Sequence, residues 1–501
     1  MESLSALMHG FAVSVTPYNL WMAAVGCFIG TIVGILPGLG PSATIAILLP
    51  FTFGMNPIPA LIMLTCIVYG SKYGGSTTSI LLNVPGESAS VVTALDGYQM
   101  ARQGRAGSAL GISAIGSFVG GSLGGIALIF ICVPLAEFSL KFGPAEYVSL
   151  ILMAMLTVVF IGGKSIAKSL MSGLIGYALS MVGTDPVQGA PRFVYGQPYL
   201  MDGVSFVVVV MGLFGITECL VSVEERMKME TLKVPFRDCF PTFRDIIDST
   251  GAILRGTFIG FWCGVLPGAG STLSSFLSYG VEKSMSKHPE RFGKGAIEGV
   301  AGPETANNAA CSGEMVPLLS IGIPSSGSNA MLLGGMILCG LRPGPLLFQT
   351  NPEFVWTIIA NLFIANFILL IMNLPMVPLF AMTLRIPYSL LYPAIFIVCV
   401  IGAYSMNSDP TDIGLMFLFG GIGYFLRKLD IPGAPMIIAL VLGKMFENAI
   451  YQALNLSHGS LMTFVTRPIS ATLLAMATAL TVLFMFKNIR QKRKLLEEEQ
   501  V

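Results

Sequence analysis

The residues best able to do chemistry in this chain lie inside or beside long apolar runs. Glu87, Glu304 and Glu314 are carboxylates in such surroundings, and an ionisable group at membrane depth marks a site by default because burying its charge is costly. Around them gather glycines and small hydroxyl and amide residues, and in each half this segment reads as a second polar break, because non-helical backbone at membrane depth survives only where it is buried in protein or lines a wet cavity. The first half has Tyr73-Gly-Gly-Ser76-Thr77-Thr78-Ser79-Ile-Leu-Leu-Asn83-Val-Pro85-Gly86-Glu87-Ser88. The second has Pro303-Glu304-Thr305-Ala-Asn307-Asn308, followed by Leu318-Leu-Ser320-Ile-Gly322-Ile-Pro324-Ser325-Ser326-Gly327-Ser328-Asn329. Exposed amides at half-helix N-termini, helped by hydroxyls, bind carboxylate oxygens, and freed carbonyls with hydroxyls coordinate a hard cation. On that chemistry an organic anion is assigned to Gly38, Gly40, Ser42, Thr44, Asn83, Gly86, Ser88, Gly268, Gly270, Ser271, Thr272, Ser325 and Ser326. A sodium ion or proton is assigned to Ser76, Thr77, Thr78, Glu87, Glu304, Asn307 and Asn308. Glu87 also fits a loop tip facing a wet vestibule, and Glu304 and Glu314 also fit groups that pair with neighbours around Asn307. Lys72 reads first as an ordinary cytoplasmic anchor.

A duplicated motif supplies the breaks that such a site needs. Gly30-Thr-Ile-Val-Gly34-Ile-Leu36-Pro37-Gly38-Leu-Gly40 matches Gly260-Phe-Trp-Cys-Gly264-Val-Leu266-Pro267-Gly268-Ala-Gly270 at a constant offset, with six of eleven positions identical. Proline costs about 3 kcal/mol in a helix interior and glycine about 1, so each apolar run should break at Leu-Pro-Gly-x-Gly. Gly30, Gly34, Gly260 and Gly264 also fit a helix-packing stripe; the proline needs a different reason. The second copy lies between Arg255 and Lys283, so it reads as a hairpin entering from and returning to the cytoplasmic side. The first copy has no flanking base and reads as its inverted counterpart. Inverted repeats with discontinuous helices are the mark of secondary transporters.

The elements that hold these residues must be membrane helices. Hydrophobic types make up 54% of the 501 residues and charged types 11%, which excludes a soluble protein. With 28 Lys and Arg against 27 Asp and Glu, no basic surface for nucleic acid is implied. The nine cysteines are scattered singly and read as small buried hydrophobes. The first base is Lys72, so the start of the chain lacks the positive region of a cleavable signal peptide, and its first helix is expected to enter the membrane. The clusters Arg226–Arg255 and Lys487–Lys494 place the central linker and the C-terminus in the cytoplasm. Spans are expected near Ala109–Val133, Val148–Ile161, Ile166–Val182, Val204–Val223, Phe354–Leu384, Leu390–Tyr404, Ile413–Phe425, Pro435–Tyr451 and Ile469–Phe486, with Arg192, Arg342 and Arg467 as isolated exceptions to the charge rule. The predicted organisation is an all-α polytopic membrane protein of roughly 10–12 membrane segments. Residues 1–223 form a first repeat, 224–255 a cytoplasmic linker, 256–468 a second inverted repeat, 469–486 an extra helix and 487–501 a cytoplasmic tail.

The strings Gly-Ile-Leu-Pro-Gly-Leu-Gly-Pro-Ser-Ala-Thr (34–44), Tyr-Gly-Gly-Ser-Thr-Thr-Ser-Ile-Leu-Leu-Asn-Val-Pro-Gly-Glu (73–87) and Pro-Glu-Thr-Ala-Asn-Asn-Ala-Ala (303–310) resemble the large membrane subunit of the tripartite tricarboxylate transporters. The resemblance extends over nearly the whole chain. It implies a bacterial inner-membrane permease that imports citrate-like anions by symport, working with a small four-helix membrane subunit and a periplasmic solute-binding protein. The absence of a Gly-x-x-x-x-Gly-Lys-Ser/Thr motif agrees with secondary transport rather than an ATP-driven pump. A stand-alone anion transporter or channel would share the hairpins. An enzyme is disfavoured because His9, His288 and His458 form no His-Glu-x-x-His frame.

Overall fold

The computed structural model describes residues 2–36, 39–161, 165–185, 189–224, 240–268, 270–376 and 388–482. The first half runs α1 (Glu2–Ser14), α2 (Pro17–Ile35), α3 (Pro41–Leu48), α4 (Pro57–Leu82), α5 (Val91–Arg102), α6 (Ala106–Ser139), α7 (Pro144–Ile161), α8 (Ile166–Ser180), α9 (Phe206–Val210) and α10 (Thr217–Glu224), the last two joined by π-helical Met211–Ile216. The second half runs α11 (Phe243–Val265), α12 (Gly270–Met285), α13 (Glu298–Ser320), α14 (Gly327–Leu338), α15 (Leu347–Thr350), α16 (Pro352–Asn373), α17 (Tyr388–Asn407), α18 (Pro410–Lys428), α19 (Gly433–Leu456), α20 (Thr463–Thr466) and α21 (Pro468–Val482). Helices α2, α6, α16 and α19 are long and apolar enough to cross a bilayer by themselves. The chain is an all-α polytopic membrane protein. Among the described residues, helices occur at each of the expected apolar runs. Residues 225–239 of the linker, 377–387 and the tail beyond 482 lie outside the described residues, as does Gly38.

The chain forms two compact units, each drawing on both halves of the sequence. One comprises Met1–Glu137 and Ser205–Phe425, the other Phe138–Val204 and Leu426–Val501. In the smaller unit α8 packs on α19 through glycine, since a Cβ on Gly176 would sit 2.0 Å from the Met436 carbonyl oxygen. A short hairpin pairs Gly183 with Arg192 and Thr184 with Pro191. Two of the exceptions to the charge rule find carboxylates here. Arg192 pairs with Asp185 at 3.2 Å and with Glu447, and Arg467 pairs with Glu146 at 3.2 Å.

The larger unit is built around two enclosed helices. Every residue of α4 from Pro59 to Leu81 is buried, as is every residue of α13 from Gly299 to Ser320. Asn56 starts α4 by accepting from the Ile58 amide at 3.1 Å, with Pro57 supplying a preset first turn. Each helix receives a glycine ridge from the helix before its break. A Cβ on Gly26, Gly30 or Gly34 of α2 would lie 2.3–2.5 Å from the carbonyl oxygen of Met63, Ile67 or Ser71 on α4. On α11, Gly256, Gly260 and Gly264 meet Gly302, Ala306 and Ala310 of α13 in the same way, at 2.2–2.5 Å. The register is the same in both pairs, so the packing-stripe reading of these glycines matches their surroundings.

The duplicated motif ends both ridge helices as its proline and glycines require. Leu36 caps α2 in extended conformation (φ −86°, ψ 109°), and Leu266 caps α11 almost identically (φ −79°, ψ 123°). The second polar segments are shorter breaks than their composition suggests. Tyr73–Leu82 stays helical and only Asn83–Glu87 unwinds; Pro303–Asn308 stays helical and the break falls after Ser320. Helix survives at Gly74-Gly75 because packing demands small residues there, a Cβ on Gly74 lying 2.2 Å from the Thr31 carbonyl oxygen.

Candidate functional site

The breaks of the two halves meet inside the larger unit. Asn83 ends α4 in the left-handed conformation (φ 58°), where Asn is tolerated. The chain then turns back against the end of α2, so closely that a Cβ on Gly86 would lie 1.9 Å from the Gly34 carbonyl oxygen. This turn delivers Glu87 and Ser88. Glu87 adopts φ −142°, ψ 166°, and Ser326, which caps α14, adopts φ −144°, ψ 169°. Gly322 has positive φ near the end of α13, as Asn83 does at the end of α4.

Lys72 corrects the sequence expectation most sharply. It is only 6% exposed, and its ammonium donates to Glu87 Oε2 at 2.6 Å and to Ser271 Oγ at 2.8 Å. It is therefore a core cation tying the first-half turn to the second-half break, not a surface anchor. Its signal was a lone Lys far from either end of an otherwise apolar helix, which is a functional suspect in its own right. The expected break at Tyr73 made it look like a helix end.

Other contacts stitch the same junction. Ser88 and Thr272 hydroxyls lie 2.8 Å apart, Ser42 and Ser328 hydroxyls 3.2 Å, and the Gly268 amide donates to the Ser325 carbonyl at 2.9 Å. Glu314 accepts from the Ser271 amide at 3.2 Å and the Ser326 hydroxyl at 2.6 Å. Gly270, at φ 51°, starts α12 beside that carboxylate. Gly40 has open space around it, and Thr44 bonds only locally, donating to the Gly40 carbonyl.

Several of the residues assigned to a cation lie beside this junction. Glu87 Oε1 accepts from Asn307 Nδ2 at 2.9 Å. Glu304 accepts from Ser76 Oγ at 2.5 Å and from Thr93 Oγ1. Asn308 donates to Ser117 Oγ at 2.7 Å. Thr77 lines a small cleft with Ser76, and Thr78 bonds back to the Gly75 carbonyl. Asn307 Oδ1, Asn308 Oδ1 and Ser325 Oγ are buried with no hydrogen-bond partner, and such orphaned acceptors call for an explanation. Thr93 and Ser117 carried no sequence signal, Thr93 being an isolated hydroxyl of α5 and Ser117 one of several serines along α6 outside the polar segments. Neither did Asp96, whose Oδ1 accepts three amides, of Gly293, Gly295 and Ala296, at 2.8 Å each and so anchors α5 to the loop before α13.

A Gly-x-Ser-x-Gly string at 120–124 lies in mid-α6 with no strand before it, so it lacks the strand–turn–helix setting of a nucleophile elbow.

Discontinuous helices around an enclosed polar centre define a multi-pass membrane protein of the transporter class. Residues 20–438 match the tripartite tricarboxylate transporter TctA family, and the chain belongs to that family. It is 44% identical over 493 residues to an uncharacterized 52.8 kDa protein in the TAR-I ttuC' 3' region of Agrobacterium vitis, covering 98% of each chain. It is also 45% identical over 230 residues to an uncharacterized protein in the TAR-II ttuC' 3' region of that species, covering 46% of this chain and 95% of the relative. No solved structure matches. Membership makes the protein a subunit of a tricarboxylate transport system with partner components of the tripartite type.

Proposed function

We propose that this chain is the permease subunit of a binding-protein-dependent secondary transporter that imports a tricarboxylate or related organic anion across the bacterial inner membrane by symport with a cation. A small four-helix membrane subunit and a periplasmic solute-binding protein complete the system. The central linker and C-terminus face the cytoplasm. The two broken hairpins act as inverted repeats that carry the anion between them in an elevator-like motion.

The observation that carries this reading is the junction at Lys72, where turns and breaks from both halves converge on one buried ammonium. A solute carboxylate entering there competes with Glu87 for Lys72 and gains the hydroxyls of Ser88, Ser271 and Thr272. The same centre supports cation coupling. Lys72 is set against Glu87, Glu304 and Glu314, so an anion arriving without compensating cations would add negative charge to a centre already rich in it.

The test is solute uptake into vesicles containing the whole system, with and without the binding protein. Uptake that needs the binding protein and an ion gradient, and that falls in Ser42→Ala, Asn83→Ala or Thr272→Ala at unchanged membrane expression, is the expected result. Full uptake by the chain in liposomes alone would favour a stand-alone transporter. Thiol labelling near Pro37 and Pro267 reads the inverted orientation, and labelling of both from one aqueous face would remove it.

A further inference from the structure

The buried carboxylates of the larger unit differ in what holds them. Glu87 is paired with Lys72, whose ammonium can only donate. Glu314 accepts the Ser271 amide in the first turn of α12, a donor that favours the ionised carboxylate. Asp96 accepts three amides and the Tyr279 hydroxyl. Glu304 is different. It is 0% exposed, and the partners of its two oxygens are both hydroxyls, Ser76 on Oε2 and Thr93 on Oε1. A hydroxyl donates to a carboxylate and accepts from a carboxylic acid with equal ease, so this setting serves both protonation states. Among the described residues no Lys or Arg forms an ion pair with Glu304.

Ser76 lines a cleft with Tyr73, Thr77, Ser113 and Asn373, and the space there, about 10 Å³, has room for a single water. The two hydroxyls close on the carboxylate at hydrogen-bond distance, which leaves no shell of five or six oxygens for a sodium ion between them.

We infer that Glu304 is the group that carries the coupling ion, and that this ion is a proton delivered through Ser76 from the adjoining cleft. The inference rests on the import reading above and names the cation in it. In the transfer, Ser76 gives its hydroxyl proton to Glu304 Oε2 and takes another from the cleft water, which the aqueous phase replenishes. One O–H bond forms at each acceptor as one breaks at each donor. The neutral acid then donates back to Ser76 Oγ. The charged and titratable groups around it are otherwise engaged. Lys72 of α4 holds Glu87, and Tyr73 donates to Asn366. Asp96 of α5 is held by amides and by Tyr279 of α12. Cys311 and Glu314 lie further along α13, Glu282 of α12 pairs with Arg255 of α11, and Asp245 of α11 pairs with Arg105.

The test uses vesicles with the complete system and an internal pH-sensitive dye. Wild type is expected to acidify the interior as solute enters. Glu304→Gln, a mimic of the neutral acid, is expected to abolish acidification while retaining solute exchange across the membrane, which needs no net ion movement. Ser76→Ala is expected to slow acidification and shift the pH profile of uptake. Undiminished acidification in Glu304→Gln overturns the inference, as does wild-type accumulation that follows a sodium gradient with no pH change. The purified full-length chain gives a second, transport-independent readout in infrared difference spectra. A carboxylic-acid band that titrates in wild type and is missing from folded Glu304→Gln supports the assignment, and its persistence in the variant overturns it. Failure of all solute accumulation would count against the import reading, while the infrared result would still decide the proton site.

Discussion

At the scale of single residues, Lys72 and Glu87 govern the site because neither can be buried alone. Removing one partner of a buried ion pair strands the other charge, at a cost of about 3–5 kcal/mol, whereas removing both is often neutral. Lys72→Met is therefore expected to lower the thermal midpoint in detergent sharply, and Lys72→Met with Glu87→Gln to recover most of it. A thermal-shift assay on the purified chain reads both. Transport is expected to stay low in the double variant, since the ammonium that meets the solute is gone. A single variant as stable as wild type would show that the pair is solvated and not buried.

At the scale of elements, the glycine ridges decide where helices can approach. Gly260→Val puts branched carbon where the Ala306 carbonyl oxygen already sits 2.2 Å from a bare Cβ, and a clash with backbone cannot be relieved by a rotamer change. Folded yield of that variant, measured by size-exclusion chromatography after membrane extraction, is expected to fall severely. Gly280 of α12 has nothing within 4 Å, and Gly280→Ala should be neutral or stabilising by up to about 1 kcal/mol. Much of this level was legible in the sequence. The repeated Leu-Pro-Gly-x-Gly gave both breaks, because proline and glycine act locally. The positions of the second breaks were not legible. Gly74, Gly75 and Pro303 weaken a helix by propensity, and only tertiary enclosure between neighbours, invisible from one segment, keeps them helical. The same limit hid Thr93 and Ser117, which matter only through Glu304 and Asn308 across the core.

At the scale of the whole molecule, apolar run lengths were enough to locate the helices. They did not reveal that each compact unit draws its residues from both halves of the sequence. The larger unit is closed where Ser88 meets Thr272 and where Ser42 meets Ser328. If the closed junction must open for solute to pass, Ser88→Cys with Thr272→Cys, in a chain freed of its native cysteines, is expected to stop uptake on oxidation and to regain it on reduction. Vesicle uptake before and after dithiothreitol reads this, and uptake unaffected by a verified cross-link would mean that these two positions need not part.

The enclosure of α13 also bears on how the chain is made. This helix carries Glu304, Asn307, Asn308, Glu314 and two internal prolines. A charged side chain at a lone helix centre in lipid costs about 2.5–3.5 kcal/mol even on insertion scales. Its companions Ser76, Thr93 and Ser117 leave the ribosome long before it, whereas Ser326 and Asn329 follow just behind. Biogenesis therefore cannot release helices into the bilayer one at a time; the nascent segment has to be sheltered until earlier and later parts of the chain have closed around it.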